Sequence, residues 1–238
     1  MTDFKNTPEL SESTETAIAY STCYRLPFLS LFHADCMEIM KQYPDKYFDL
    51  AIVDPEYGKD AANMTMGKGL NKQWTKKDWD KKTPDNEYFD ELFRVSKKQI
   101  IWGGNYFDLP KTGGWLFWDK DRQKDISFAD GELAWTNFLK NLKTIKVKYD
   151  GFLGADTERI HPTQKPVKLY ANTLRYAENG YKILDTHFGS GSIALAVDKA
   201  NRLDKMNLHL TACEIDKEYI DKAIKRISES IKQGTLSF

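Results

Sequence analysis

With 238 residues and 41% apolar side chains, the chain is long enough for one large domain with a full core. Its 35 basic and 35 acidic side chains cancel, so net charge announces neither a nucleic-acid nor a membrane partner, although local patches still can. Cys23, Cys36 and Cys213 have no paired spacing, which argues against a disulfide framework or a zinc site and fits the reducing cytoplasm. No apolar run approaches the roughly 20 residues that span a bilayer.

Residues 1–25 are polar, lack the pattern of a secretion signal, and read as an arm before a single domain over 26–238. Leu29–Phe32 is a predicted strand, and Cys36–Tyr43 a helix closed by Pro44. The apolar run Phe48–Val53 is a buried strand that stops at Asp54-Pro55-Glu56-Tyr57. Asn86–Val95 reads as a helix with Tyr88, Phe89, Leu92 and Phe93 on one face. Strands follow at Gln99–Trp102, Trp115–Trp118 and Gly131–Phe138. Pro166–Glu178 is a helix with proline in its first turn. Tyr181–Leu184 is a strand, Ser192–Lys199 a helix, Leu208–Cys213 a strand and Lys217–Ile231 a final helix. This alternation predicts an α/β fold, an open and mostly parallel sheet with helices on both faces.

Two stretches break the rhythm. Residues 59–85 carry seven lysines against four aspartates, with Trp74 and Trp79 interleaved, and read as a mobile basic loop. Lys68, Lys72 and Lys76 would neutralise phosphates and Trp74 would stack on an exposed base; a solvated lid is the plain alternative. In 139–160, Lys146 and Lys148 alternate with Ile145 and Val147 before a run with glycines, which reads as a small insert that could touch DNA.

Three segments carry chemistry. An exocyclic amine on a nucleobase is a poor nucleophile because its lone pair is delocalised into the ring. Asp54 and the Pro55 carbonyl would accept its two N–H bonds, and Tyr57 would stack on the extruded base. An ordinary Asp-Pro turn is the alternative. The glycine turn Asp185-Thr186-His187-Phe188-Gly189-Ser190-Gly191 follows a strand and opens a helix, as a nucleotide cofactor requires. Glu214 ends the next strand, where an acid can hold ribose hydroxyls. Gly189, Gly191 and Ala194 also satisfy the loose dinucleotide pattern, so an NAD-dependent oxidoreductase is a rival. His161-Pro162-Thr163-Gln164-Lys165-Pro166 places donors before a helix start, which suits an anion or simply a proline-framed helix entry.

In this order, Asp54-Pro55-x-Tyr57, His161–Pro166 and the Gly189-Ser190-Gly191 turn resemble the permuted (beta-class) DNA amino-methyltransferases. These move a methyl group from S-adenosylmethionine to adenine N6 or cytosine N4. The resemblance runs from about Leu29 to the last helix, and His161–Pro166 is its most specific piece. It implies a Rossmann-like methyltransferase fold with circularly permuted motif order. It implies that Asp54, Pro55 and Tyr57 bind and activate the base. Asp185, His187, Phe188, Gly189, Ser190, Gly191 and Ser192 would form the cofactor turn, and Glu214 would hold the ribose with Ile215 against the adenine ring. Asp35 and Cys36 would lie near that ring, and His161, Thr163 and Lys165 would face the methionine end. Asp54 favours adenine N6, because the family's cytosine enzymes more often carry Ser there; N4-cytosine transfer and a non-catalytic binder are the alternatives. Double-stranded DNA is the implied partner, with a second copy of the chain and a cognate restriction or phage protein as further expected partners, and no metal.

Three departures from the family's pattern stand out. Glu56 replaces a second proline, Asp185-Thr186-His187 replaces Asp-Pro-Phe, and the recognition insert is very short. Cysteine-based methylation at cytosine C5 is disfavoured, because none of the three cysteines follows a proline.

Overall fold

The computed structural model describes residues 11–13, 22–58, 83–122, 129–149, 160–161 and 163–235. Lys68, Lys72, Trp74 and Lys76 lie outside the described residues, as do 150–159 of the expected insert. The strands are β1 (Ser11–Ser13), β2 (Thr22–Leu26), β3 (Leu29–His33), β4 (Phe48–Val53), β5 (Ser96–Trp102), β6 (Trp115–Asp119), β7 (Gly131–Thr136), β8 (Lys143–Lys146), β9 (Lys182–Asp185) and β10 (His209–Glu214). The helices are α1 (Cys36–Met40), α2 (Asn86–Val95), α3 (Val167–Thr173), α4 (Ser192–Asp204) and α5 (Lys217–Thr235).

Among the described residues, the ten strands form one sheet in the order β1-β2-β3-β10-β9-β4-β5-β7-β6-β8. The central strands β3, β10, β9, β4 and β5 run parallel, and antiparallel pairings appear at β1–β2–β3 and β5–β7–β6. This is the expected mostly parallel α/β architecture. The run β9–α4–β10 leads one way along the sheet and β4–α2–β5 the other, while β9 and β4 are themselves neighbours. Their pairing, Leu50 with Ile183 and Ala51 with Leu184, makes this the topological switch point. In open α/β sheets, ligands bind in the crevice at the strands' carboxyl ends at such a point.

Alternation of side chains along β4 serves both faces. Leu50 and Ile52 face a core with Trp102, Leu169, Leu195, Ile220 and Ile227, which α3, α4 and α5 cover. Ala51 and Val53 face a second core with Tyr88, Phe89, Leu92 and Val95 of α2. A strand buried on both faces reads as a continuous apolar run, as Phe48–Val53 does. The face of α2 is set by its period, and Asp85 caps it by accepting the Tyr88 N–H at 3.0 Å.

Several boundaries shifted for local reasons. α1 stops at Met40 rather than Tyr43, because Gln42 and Tyr43 turn tightly onto the carbonyls of Ile39 and Met40 before Pro44. The helix expected over 166–178 gives way after Thr173 to a 3-10 turn, Leu174–Tyr176. Thr22–Leu26, at the boundary of the expected arm, is β2, antiparallel to β3. Lys143–Lys146, within the expected insert, is β8, which extends the sheet beside β6. Ile145 and Val147 are buried while Lys146 and Lys148 are exposed, as their alternation requires. No helix among the described residues is long and apolar enough to cross a membrane.

Leu92 is fully buried between α2 and the sheet. Leu92→Ala should destabilise the chain by about 2–5 kcal/mol through lost burial and an unfilled cavity, measured by denaturant unfolding.

Candidate active site

The register of β4 against β9 carries the Asp54 loop and the Asp185 turn out of the sheet side by side. On the β4 side, Asp54 Oδ1 accepts the Tyr57 hydroxyl at 2.6 Å and meets Lys165 Nζ at 2.5 Å. Lys165 also donates to the Tyr57 hydroxyl at 3.1 Å and lies 3.3 Å from Glu132 Oε2, with its side chain 5% exposed. Lys120 Nζ meets the other Glu132 oxygen at 2.6 Å. Burial disfavours the Lys165 ammonium, but Asp54 and Glu132 outweigh that and raise its pKa. Burial likewise opposes the Glu132 carboxylate, yet the two ammonium groups hold it down at about 2. The Tyr57 phenol is pushed well above its ordinary range by burial and then by Asp54, so it remains a donor.

Tyr57 lies flat on Gly103, where an added Cβ would stand 2.1 Å from its ring, and Gly103 takes φ +69. Its ring stacks on Tyr106 at 5.2 Å and meets Phe107 edge-on. Gly103, after β5, is therefore the floor of the base loop, while Gly104 packs against Trp135.

On the β9 side, Gly189 and Gly191 take φ +49 and +70, left-handed backbone that glycine adopts without strain. Among the described residues, the atoms nearest to a Cβ at Gly189 belong to the His161 ring, at 3.7 Å, so the side chain position is not tightly filled. Glu214 stands beside the turn, its Oε2 accepting the Gly189 N–H at 2.8 Å and its Oε1 the Asp216 N–H at 2.9 Å. Burial raises the Glu214 pKa more than these N–H groups lower it. Ile215, the next residue, is 64% exposed and offers a bare apolar face. His33 bonds the Ile215 carbonyl at 3.2 Å, and Asp35 caps α1 through the Met37 N–H at 2.7 Å, which sets Asp35 and Cys36 on the same rim. Burial, Asp35 and Glu56 push the Cys36 thiol up to about 12, so it is no nucleophile. Buried Arg226 of α5 donates to the Ser190 carbonyl and the Ser192 hydroxyl, both at 2.9 Å, and so ties the turn to α5. An accessible glycine turn, a fixed carboxylate at a strand end and an exposed apolar side chain fit a nucleoside cofactor.

His161–Pro166 bridges the two halves. His161 packs on Tyr219 at 4.3 Å over the Gly189 side and contacts Thr163, whereas Lys165 is sunk beside Asp54. Lys165, expected at the methionine end, contacts the base loop at Asp54. Glu132, Lys120, Tyr88 and Tyr106 escaped the sequence reading, although a glutamate inside an otherwise apolar strand was a visible signal for Glu132. Lys146 pairs with Asp121 at 2.9 Å on the solvent side of β8, away from these contacts.

Glu56 and His187 meet across the crevice, with Glu56 Oε2 3.2 Å from His187 Nε2. Burial opposes the charge of His187, but Glu56, then Asp185 and Glu214, raise its pKa to about 9. Asp185, fully buried behind the turn, is raised by that burial to about 7 despite accepting the His187 N–H at 3.0 Å.

Comparison with known proteins bears on this geometry. The N6/N4 family described as DNA methylase matches residues 6–225. Among solved structures, the M1.HpyAVI–SAM complex aligns with TM-score 0.53 at 20% identity, over 83% of this chain and 99% of that one. The PvuII DNA methyltransferase, described as cytosine-N4-specific, aligns with TM-score 0.51 at 12% identity, over 87% of this chain and 92% of that one. At such identities these two establish a shared fold. The family match spans nearly the whole chain and includes the base loop, the glycine turn and the segment that joins them, so the chain belongs to the N6/N4 DNA methylase family, the S-adenosylmethionine-dependent DNA methyltransferases.

Proposed function

We propose that the chain methylates the exocyclic N6 of adenine in double-stranded DNA, with Asp54 at the reacting amine. The observation that carries this reading is that the Asp54 loop leaves β4 beside the end of β9, with the Asp54 charge acting on Asp185 at the start of the glycine turn. Aspartate at this position favours adenine, by the family resemblance of the sequence. Bound S-adenosylmethionine supplies a methyl group made electrophilic by its sulfonium. Glu214 and the Gly189–Gly191 backbone are suited to hold its nucleoside, with Ile215 under its ring.

The protein's own groups supply the rest. Tyr57 and Lys165 both engage Asp54 Oδ1, which leaves Oδ2 to accept the amine N–H while the Pro55 carbonyl accepts the other. Drawing density onto the nitrogen lets it become tetrahedral as it attacks. The N–C bond would form as the donor's S–C bond breaks to leave a neutral thioether, and the methylated amine then loses a proton, for which Oδ2 is the nearest acceptor in this scheme. Acceleration comes from positioning and fixed charge, without a covalent enzyme intermediate. Tyr57 supports the flipped base as an aromatic wall. The 59–85 segment and Lys148 are proposed phosphate contacts, and a second copy of the chain or a restriction or phage protein are proposed partners.

Sequencing modified bases in DNA from cells that express the chain tests the target. N6-methyladenine in a fixed context is expected, N4-methylcytosine would reassign the base, and unmodified DNA would favour a non-catalytic binder. Asp54→Ala should abolish transfer while S-adenosylmethionine binding persists, checked by calorimetric titration; retained transfer would remove Asp54 from the chemistry.

Lys165→Met removes an ammonium from between two carboxylates. Transfer should fall by about a hundredfold or more, as a small misplacement of the reacting groups already costs that much. Stability should also drop by roughly 3–5 kcal/mol, because breaking a buried pair leaves charge uncompensated. Single-turnover kinetics and denaturant unfolding read the two effects separately.

A further inference from the structure

Two departures from the family's sequence pattern meet in space. Glu56 stands where the family has a second proline, and His187 where it has phenylalanine. Their side chains are 23% and 19% exposed and touch at 3.2 Å. His187 Nδ1 reaches the Thr186 hydroxyl at 2.9 Å, which meets the hydroxyl of buried Tyr88 at 2.6 Å. Tyr88 also stands edge-on to the His187 ring at 5.5 Å. One hydrogen-bonded line therefore runs from the base loop through the donor turn to α2.

Proline at position 56 would lock φ near −65° and stiffen the loop after Asp54. Glutamate restores that freedom, so rigidity must come from a contact. A phenylalanine at 187 could pack but could not meet the carboxylate. An unpartnered buried carboxylate is costly, so either exchange alone is unfavourable and the two together compensate.

We propose that Glu56 and His187 are positioning residues for methyl transfer, forming a charged clasp that fixes the Asp54–Tyr57 loop against the Asp185–Gly191 turn. The clasp acts on the distance between the reacting amine and the methyl donor, and its catalytic role rests on the function proposed above. Asp185 and Glu214 face His187, His161 and Cys36 face Glu56, and Tyr88 faces both from α2. His187 is raised to about 9, so its contribution to stability is complete below its ordinary 6.5 and is lost as pH climbs to about 9. Glu56 is lowered, its burial outweighed by His187, so its contribution is present above its ordinary 4.5 and is lost as pH falls through its lower folded value.

Two measurements on the full chain test the clasp. The first follows the His187 ring by NMR in cofactor-free protein, with His187→Phe assigning its signal. A midpoint above about 8 is expected, falling by at least about one unit in Glu56→Gln. A midpoint near about 6.5 in the unaltered chain overturns the clasp without any variant. The second compares kcat and KM for DNA in Glu56→Gln, His187→Phe and the double variant. Each single variant should lose about tenfold in kcat with KM within about threefold, and the double should lose no more than the weaker single. Losses that multiply to about a hundredfold, or singles at the unaltered rate, overturn it. An unaltered chain that transfers no methyl group would refute the proposed function instead, while the ring titration still decides the clasp.

Discussion

Hydrogen bonding between β4 and β9 is the constraint from which the site follows. These neighbours send their connections in opposite directions, so nothing in the sheet covers the ends of both strands, and a crevice must form there. Two segments far apart in sequence thereby become the walls of one cavity. Their register brings the end of β4, which leads into the Asp54 loop, beside the end of β9, which leads into the Asp185 turn. A slip of one residue would turn each side chain to the other face of the sheet. The apolar alternation along β4, divided between two cores, prevents such a slip.

Charge is distributed in this crevice in a way that stability alone does not explain. Lys165 sits between Asp54 and Glu132 with Lys120 behind, and His187 sits among Glu56, Asp185 and Glu214. Exposed pairs of this kind are worth about 0–1 kcal/mol, and buried pairs often return no more than their desolvation removes. The fold is held by its two apolar faces. What the buried charges provide is a defined arrangement of oxygens and N–H groups, already oriented before a substrate arrives, which is the form electrostatic catalysis takes. On the Lys165 side two ammonium groups balance two carboxylates, while on the His187 side three carboxyl groups surround one imidazole, so the excess of negative charge lies beside the donor turn. That field suits a positively charged sulfonium donor.

Much of the architecture was legible because helix and strand periods are local. Phe48–Val53, Asn86–Val95 and Lys217 onward declared their type through the spacing of apolar residues, and their order implied a parallel α/β sheet. β2 and β8 were not legible as sheet members. Thr22–Leu26 follows directly on the polar N-terminal stretch, and Lys143–Lys146 is a short edge strand whose pairing with β6 no local pattern announces. The ends of α1 and α3 depended on tight turns that period alone does not register.

At the site, the sequence by itself determined the chemistry-bearing residue types and their order: an acid, a proline and an aromatic ring after one strand, glycines after another, and a proline-framed segment between. It also determined the family. Only the tertiary structure decided partnership. Lys165, adjacent in sequence to the donors of His161–Pro166, belongs with Asp54, and Glu132 of β7 belongs with Lys165. Glu56 and His187, two separate irregularities in the chain, are one ion pair. The reason is physical: the 3.6- and 2-residue periods are written between neighbours in the chain, whereas an ion pair is written between strand registers, and these exist only once the sheet has formed.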